Sequence, residues 1–448
     1  MTKLFGTDGI RGEAGVFPLD AGTVFTIGRS LADRIRDRLE RYPRFVTGRD
    51  TRESGEWIER QFTLGAAAAG AECSSAGVIT TPGIAFITGE FGFDLGIVIS
   101  ASHNPFNDNG IKAFLPSGKK IEDELERIVE ADVASSNDSG QGNSGPECPD
   151  DRAAEFRRAY LEHLTTATKD LSLEGCRIVV DCANGAASHL APDLFRSLGA
   201  NVIAINDRPD GRNINKDSGS LHLEYLQKEV TDAGADLGVA FDGDADRSLF
   251  VDEQGNVVDG DAVLWILGKQ MHERGELKSG KVIATVMSNI GLEIALRSCN
   301  IELVRTAVGD KYVLEELLRS GAEIGGEQSG HIIFPQDSLV GDGMMTALRV
   351  LDALSVTRLK LSDLTAGFKR YPQVLVNVKV SQKRPFEEIE AIRTASAEVE
   401  KALSGNGRLL LRYSGTENLA RVMIEGGDQT EIDDLANSLA RTIQSELN

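Results

Sequence analysis

At 448 residues the chain is too long for one hydrophobic core, so it is expected to divide into about three or four domains, and its 41% hydrophobic content is ample to pack them. A formal net charge of −21 repels a phosphate backbone, which sets nucleic-acid binding aside and requires any bound anion to meet a locally basic pocket. The five cysteines are scattered without a C-x-x-C pair, Met1 to Gly9 holds no apolar signal core, and no run of about eighteen apolar residues occurs, so a cytoplasmic protein without a membrane partner is expected.

Phe5 to Gly12 is too rich in glycine for a helix and too interrupted for a central strand, and reads as a shaped loop carrying one cation, Arg11. A helical stretch follows from about Ala21 to Leu39, then the apolar run Phe45 to Thr47, the polar loop Gly48 to Arg52, and a helix through about Ala71. Strand Cys73 to Ile79 and a helix from Pro82 to about Glu90 lead to Leu95 to Ile99, a β-branched run that stops in Ser100-Ala101-Ser102-His103-Asn104-Pro105. This is a buried strand delivering Ser102 to a loop beyond its carboxyl end, where α/β sheets place their chemistry. A lone serine there would otherwise read as a helix cap or turn residue.

The same order starts again at Cys176, with strand Arg177 to Asp181, a helix to Leu198, strand Asn201 to Ile205, and a strand ending at Phe241 before Asp242-Gly243-Asp244-Ala245-Asp246-Arg247. It starts a third time at Gly280, with strand Lys281 to Thr285, a helix to Ser298 and strand Ile301 to Val304, and closes on Gly326-Glu327-Gln328-Ser329-Gly330-His331. Tyr371-Pro372 breaks a charged helix and introduces the alternating strand Val374 to Val380, followed by helix, strand, loop, strand and helix. The expected architecture is therefore three similar mixed-sheet α/β domains, 1–150, 151–256 and 257–371, and a smaller α+β domain, 372–448, around one central cleft. Ser135 to Pro149, rich in Ser, Gly, Asn and Pro, is expected to be a mobile surface segment.

Asp242, Asp244 and Asp246 alternate, so in an extended loop all three turn toward one point, and hard carboxylate oxygens suit Mg²⁺ or Ca²⁺. Glu253 falls where an EF-hand places its last ligand, but Arg247 occupies the position that requires glycine and the flanks read as strands. Glu327 to His331 concentrates groups suited to gripping sugar hydroxyls, and the glycine spacing is not that of a dinucleotide site. Arg412-Tyr413-Ser414-Gly415-Thr416-Glu417, with Arg421 beyond, can wrap a phosphate with backbone N–H groups, hydroxyls and a bidentate arginine.

These four loops, in this order, resemble the signature loops of the α-D-phosphohexomutase superfamily, and the likeness spans essentially the whole chain. Tyr413 and Asn418 depart from the residues usual beside the last loop. Within the superfamily, Phe5 to Gly12 and Gln328 resemble the branch acting on glucosamine phosphates rather than the mannose and glucose phosphomutases. The resemblance implies that Ser102 is a phosphoserine that donates its phosphoryl group, and that Ser102, Asp242, Asp244 and Asp246 hold Mg²⁺. Phosphoserine carries close to two negative charges, which the metal and Arg247 would neutralise while Arg11 steadies the transferring group. It further implies that Glu327 and Ser329 read the sugar, that Arg412, Ser414, Gly415, Thr416 and Arg421 hold the unreacting phosphate, and that Lys112 and His331 are the candidates for proton transfer. An ordinary surface lysine is the alternative reading of Lys112. The amide of Gln328 is placed either to contact a 2-amino group or to shape the loop that does. The implied reaction interconverts glucosamine 6-phosphate and glucosamine 1-phosphate through a 1,6-bisphosphate, feeding UDP-N-acetylglucosamine synthesis, and a homodimer is the implied assembly. A mannose or glucose phosphomutase, a metal-dependent sugar phosphatase and a phosphosugar-binding sensor are the alternatives.

Overall fold

A computed structural model describes residues 3–6, 8–136, 152–414 and 417–448. Gly415, Thr416 and most of the Ser135 to Pro149 stretch lie outside the described residues. The first sheet holds β1 (Phe5–Gly6), β2 (Gly9–Glu13), β3 (Arg44–Arg49), β4 (Glu72–Val78), β5 (Leu95–Ile99) and β6 (Asp108–Phe114), in the order β1-β2-β6-β5-β3-β4. The second holds β7 (Arg177–Asp181), β8 (Asn201–Ile205), β9 (Leu237–Phe241), β10 (Ser248–Asp252) and β11 (Val257–Val258), in the order β11-β10-β9-β7-β8. The third holds β12 (Lys281–Thr285), β13 (Glu302–Thr306), β14 (Gly325–Gly326) and β15 (Ile332–Ile333), in the order β13-β12-β14-β15.

One topology underlies all three. The first strand of each unit (β3, β7, β12) pairs in parallel with the second on one side and the third on the other, and an antiparallel fourth strand closes beside the third. Each third strand leaves the sheet at the point where the strand order reverses, which is where an open α/β sheet forms its crevice. Those third strands, β5, β9 and β14, carry the serine, aspartate and glutamate loops. Every residue of β5 and β9 is buried, as their apolar composition requires.

Two expectations are corrected. Phe5 to Gly12 is a hairpin rather than a loop: β1 pairs with β2, and β2 pairs with β6 at the sheet edge, where interruptions cost little. Gly9 turns it with φ of 81°, and a Cβ there would meet the Ile111 carbonyl oxygen at 2.5 Å. The charged helix before Pro372 ends at Leu364, because Gly367 takes φ of 97°, and residues 365–372 are irregular.

The fourth sheet is β16 (Gln373–Lys379), β17 (Arg408–Tyr413) and β18 (Leu419–Glu425), in the order β16-β18-β17, backed by helices Glu390–Leu403 and Gln429–Leu447. The first three units share one continuous apolar cluster, from Val46 and Val98 through Phe156 and Tyr160 to Val180, Phe241, Trp265 and Val282. The fourth has its own core, built on Val378, Ile392, Val422, Ile424 and Ile443. Among the described residues no helix is long and apolar enough to cross a membrane.

Candidate active site

Ser102 follows β5 in the left-handed region, φ 53°, with its side chain fully buried. A non-glycine residue holds that conformation only where its surroundings over-determine it. Here they do. The Ser102 N–H donates to Ser100 Oγ at 2.9 Å, and Ser100 Oγ donates to Asp50 Oδ2 at 2.6 Å. Arg52 Nε donates to the same Asp50 oxygen at 2.9 Å, and its Nη2 donates to the carbonyls of Ser102 at 3.0 Å and Asn104 at 2.8 Å, while Nη1 bonds the Pro105 carbonyl. Asn215, from the second unit, donates to the carbonyls of Ser102 and Asn104 at 2.8 and 3.1 Å. Sequence reasoning assigned no role to Asp50, Arg52 or Asn215. The available signal was position: Gly48 to Arg52 ends β3, the strand beside β5, at the same edge of the sheet.

Asp242, Asp244 and Asp246 are buried and each offers an oxygen within 4.8 Å of the others. They converge because the chain turns, not because it is extended: Ala245 has φ of 54° and its N–H donates to the Asp242 carbonyl at 3.0 Å. Gly243 is required, since a Cβ there would lie 2.6 Å from the Ser102 carbonyl oxygen. Ser102 Oγ donates to Asp242 Oδ2, which brings the hydroxyl and the triad together. Thr81 Oγ1 donates to Asp244 Oδ2 at 2.6 Å, and Lys112 Nζ lies 3.0 Å from that oxygen and 3.3 Å from Asp246 Oδ2. Asp244 Oδ1 and Asp246 Oδ1 are buried without a hydrogen-bond partner among the described residues. Buried acceptors of that kind, on three converging carboxylates, fit a hard divalent cation. Burial and the two neighbouring carboxylates push Asp242 well up; against burial, Lys112 and His331 hold Asp246 well down. Glu253 is remote from the triad and accepts from Ser362 Oγ, and β9 and β10 flank the loop, so no EF-hand is present.

Lys112 lies on β6, buried rather than on the surface. Burial draws its pKa down, but Asp244, Asp8 and Asp246 outweigh it and raise it well above the ordinary lysine value, so it is a charged donor. A cavity of about 570 Å³ opens beside these groups, lined by Arg11, His103, Asp246, Arg247, Glu327 and His331 among others. Arg11 is paired with Asp8 and reaches Asn104 Oδ1 at 3.4 Å. His103 Nδ1 is 3.3 Å from Ser102 Oγ, and burial with Arg247 and Arg11 lowers its pKa to about 4, which keeps it neutral. Burial opposes protonation of His331, but Asp246, Asp310 and Glu327 lift its pKa to about 9. Its Nδ1 faces Asp246 Oδ1 at 3.6 Å; the Gly341 N–H approaches Nε2 at 3.2 Å, which places the first proton on Nδ1.

Glu327 accepts from the Gly309 N–H at 3.1 Å and from Ser329 Oγ at 3.5 Å, so Ser329 meets the cavity through Glu327. Gln328 does not face the cavity: its amide donates to Asp259 Oδ2 at 3.2 Å, and its carbonyl accepts from the Gly260 N–H. Both bonds tie the loop to the start of the Gly260–Glu273 helix. Arg412, Ser414 and Arg421 stand apart in the fourth sheet. Arg412 and Arg421 are directly opposed on β17 and β18, with Glu417 Oε2 3.5 Å from Arg421 Nη2; an anion between the two guanidinium groups would offset their like charge further. Lys383, another residue sequence reasoning missed, donates to the Ser414 carbonyl at 2.7 Å.

Comparison with known proteins follows this layout unit by unit. Models of the phosphoglucomutase/phosphomannomutase family match in chain order: alpha/beta/alpha domain I at residues 2–139, domain II at 158–255, domain III at 259–371 and the C-terminal domain at 375–442. These define a four-domain phosphohexomutase. The chain is 46% identical to the phosphoglucosamine mutase of Solibacter usitatus, over 99% of both chains, and 46% identical to that of Symbiobacterium thermophilum, over 100% of both. It belongs to the phosphoglucosamine mutase family. Among solved structures, a phosphoglucomutase/phosphomannomutase family protein of Burkholderia thailandensis shares the fold with a TM-score of 0.80 at 24% identity, covering 99% of this chain and 97% of that one. The Aspergillus fumigatus N-acetylphosphoglucosamine mutase, solved with GlcNAc-6P and magnesium, superposes with a TM-score of 0.66 at 20% identity, covering 99% and 96%.

Proposed function

We propose that the chain is an isomerase that interconverts glucosamine 6-phosphate and glucosamine 1-phosphate, with Ser102 as its phosphoryl carrier. The observation that carries this reading is the Ser102 hydroxyl hydrogen-bonded to Asp242, inside a buried carboxylate triad beside a cavity that holds Arg11 and Arg247. Phospho-Ser102 gives its phosphoryl group to the sugar O1: the new P–O1 bond forms as the P–Oγ bond breaks, and the O1 proton passes to a base at the cavity. The resulting 1,6-bisphosphate turns end for end, and its 6-phosphoryl returns to Ser102 Oγ, leaving glucosamine 1-phosphate.

Asp242, Asp244, Asp246 and the Ser102 oxygen are the ligands we assign to Mg²⁺, which when bound neutralises charge on the transferring group. Arg247 and Arg11 add fixed positive charge on the cavity side. Lys112 and His331 are the groups placed to move protons: Asp8, Asp244 and Asp246 hold Lys112 charged, and Asp246, Asp310 and Glu327 likewise lift His331 to about 9, so each acts first as an acid. Glu327, oriented by Ser329 and Gly309, reads the sugar hydroxyls. Arg412, Ser414, Gly415, Thr416 and Arg421 hold the phosphate that is not reacting. The site then lies at the cleft common to domains 1–150, 151–256, 257–371 and 372–448, in a cytoplasmic protein that forms a homodimer.

Intact mass of the purified protein, with peptide mapping, is expected to find one phosphate on Ser102 in part of the population; a metal-dependent phosphatase or a sensor would carry none. Steady-state rates with pre-phosphorylated protein are expected to favour glucosamine 6-phosphate over mannose 1-phosphate and glucose 1-phosphate. Preference for either hexose would keep the phosphohexomutase reading and reject the amino-sugar substrate.

A further inference from the structure

A second hollow, of about 850 Å³, lies against the catalytic cavity between the Asp123–Ser135 and Asp310–Ser320 helices. Lys3, Gly6 and Asp310 line both spaces, Asp8 only the catalytic one, and Lys120 only the other. Where they meet, Lys120 Nζ bridges two carboxylates, Asp8 Oδ1 at 2.7 Å and Asp310 Oδ2 at 2.6 Å. Asp8 belongs to the β1–β2 hairpin of the first unit and Asp310 opens a helix of the third, so one side chain spans the two units across the rim of the cavity.

Both ends of the bridge are fixed. Lys120 stands on a tight turn after β6, where it pairs with Phe114, the Leu115 N–H donates to the Lys119 carbonyl at 2.7 Å and the Ile121 N–H to the Ala113 carbonyl at 3.0 Å. Asp310 follows Gly309, whose N–H is tied to Glu327, and Asp8 is also held by Lys112 at 3.0 Å and by Arg11. A cation stretched between two anchored anions is a wall with little freedom to swing. The mechanism proposed above needs such a wall, because the bisphosphate must leave Ser102 and turn while the enzyme is unphosphorylated. If it escapes, the enzyme is stranded without its phosphoryl group.

We propose that Lys120 is a retention residue: its bridge from Asp8 to Asp310 closes the catalytic cavity toward the adjoining hollow and keeps the bisphosphate inside while it turns. This rests on the phosphoserine reading of the site. Lys120 touches neither Ser102 nor the carboxylate triad, so it governs escape and leaves phosphoryl transfer to others.

The test uses the full-length enzyme with Mg²⁺ and compares Lys120→Met with Lys120→Arg, which keeps the bridge. Lys120→Met is expected to raise the concentration of added glucose 1,6-bisphosphate needed for full rate by roughly tenfold, an increase carried by faster dissociation. Unphosphorylated Ser102 should accumulate during turnover by intact mass, while kcat at saturating bisphosphate stays within about twofold, as expected when only retention is lost. Lys120→Arg is expected to restore both readouts. Equal bisphosphate dependence of Lys120→Met and wild type would overturn the proposal, and so would a rate loss that saturating bisphosphate does not relieve. Should Lys120→Met fail to fold, Lys120→Gln enters the same comparison on the same terms. A wild-type enzyme that never carries phosphate on Ser102 would instead reject the reading beneath it.

Discussion

The serine loop and the fourth sheet are joined to the rest of the molecule by different physics. Around Ser102 the first three units share one apolar cluster, and the loop itself is stitched by charged and amide groups from β3 and from the second unit. The fourth sheet packs on its own core and reaches the third unit through directional polar contacts. Asn289 Nδ2 donates to Glu425 Oε1 at 3.1 Å, the Ile290 N–H donates to Glu425 Oε2 at 3.2 Å, and Arg408, paired with the buried Glu425 inside the fourth sheet, donates to the Ser288 carbonyl at 3.1 Å. A shared core gives way only by exposing apolar surface at about 25 cal/mol per Å², whereas a handful of hydrogen bonds worth about 1 kcal/mol each can be remade one at a time. Transfer chemistry therefore sits where the fold is stiff. The paired arginines Arg412 and Arg421 sit where it can yield.

The strongest way to break the stiff side is Ser102→Ala. It should leave the thermal transition near wild type and lower kcat by at least about 10³-fold, because it removes the group proposed to carry the phosphoryl. Near wild-type rates with added bisphosphate would falsify the phosphoserine mechanism. Asp244→Asn keeps volume and removes one charge from the triad; about 10²-fold weaker Mg²⁺ activation is expected, with a chelator mimicking the loss. An unchanged Mg²⁺ titration would remove Asp244 from the ligand set.

Arg52→Met addresses the buttress. It strands buried Asp50 and frees three carbonyls of the serine loop, so about 3–5 kcal/mol of stability should go, by chemical denaturation, together with a kcat loss that substrate saturation does not restore. A loss of stability with kcat unchanged per folded molecule would make Arg52 merely structural.

On the yielding side the effects are smaller. Glu425→Gln removes the charge that Arg408 and Asn289 hold, and should loosen docking of the fourth sheet by about 1–3 kcal/mol, read as faster amide exchange in β16 to β18 and a raised KM, with Ser102 phosphorylation untouched. The smallest effect is a pH dependence at the same junction. Burial, with the charge of Asp259, pushes Asp261 up to about 7, while its Oδ2 accepts from the Asn289 N–H at 2.8 Å. A carboxyl raised on folding favours the native state fully below its unfolded value of 3.8, and that contribution is lost as the pH rises through about 7. Asp261→Asn keeps the acceptor and cannot ionise, so its melting temperature should gain on wild type at pH 8.5 and not at pH 3.5. Parallel profiles would place the titration elsewhere.

Much of the stiff region was legible because its signals are local. Buried strands read as β-branched runs, and the loops after β5, β9 and β14 announce themselves by composition. What stayed hidden depends on partners far away in the chain. Nothing local marks Asp108–Phe114 as a strand, yet β6 runs there between β2 and β5; Gly110 is needed because a Cβ would lie 2.5 Å from the Ser100 carbonyl oxygen and 2.7 Å from that of Ile10. The burial of Lys112, a proton-transfer candidate that could also be read as a surface lysine, was hidden because its three carboxylate partners come from the β1–β2 hairpin and the second unit. Arg52 and Asp50 gave no warning for the same reason, and the register that sets Arg412 against Arg421 cannot be read along a single strand. The hydrogen bond from Gln328 to Asp259 likewise joins residues far apart in the chain and could not be read locally.

The left-handed backbone at Ser102 bears on which amino acids can serve as the phosphoryl carrier at all. Threonine offers the same hydroxyl and is phosphorylated as readily in principle, but its branched Cβ crowds its own backbone at φ near 53°, a conformation β-branched residues almost never adopt. Serine and threonine are therefore not interchangeable here. The exchange that mutation and selection make most freely between hydroxyl-bearing residues is closed at this position by backbone geometry rather than by the chemistry of phosphate.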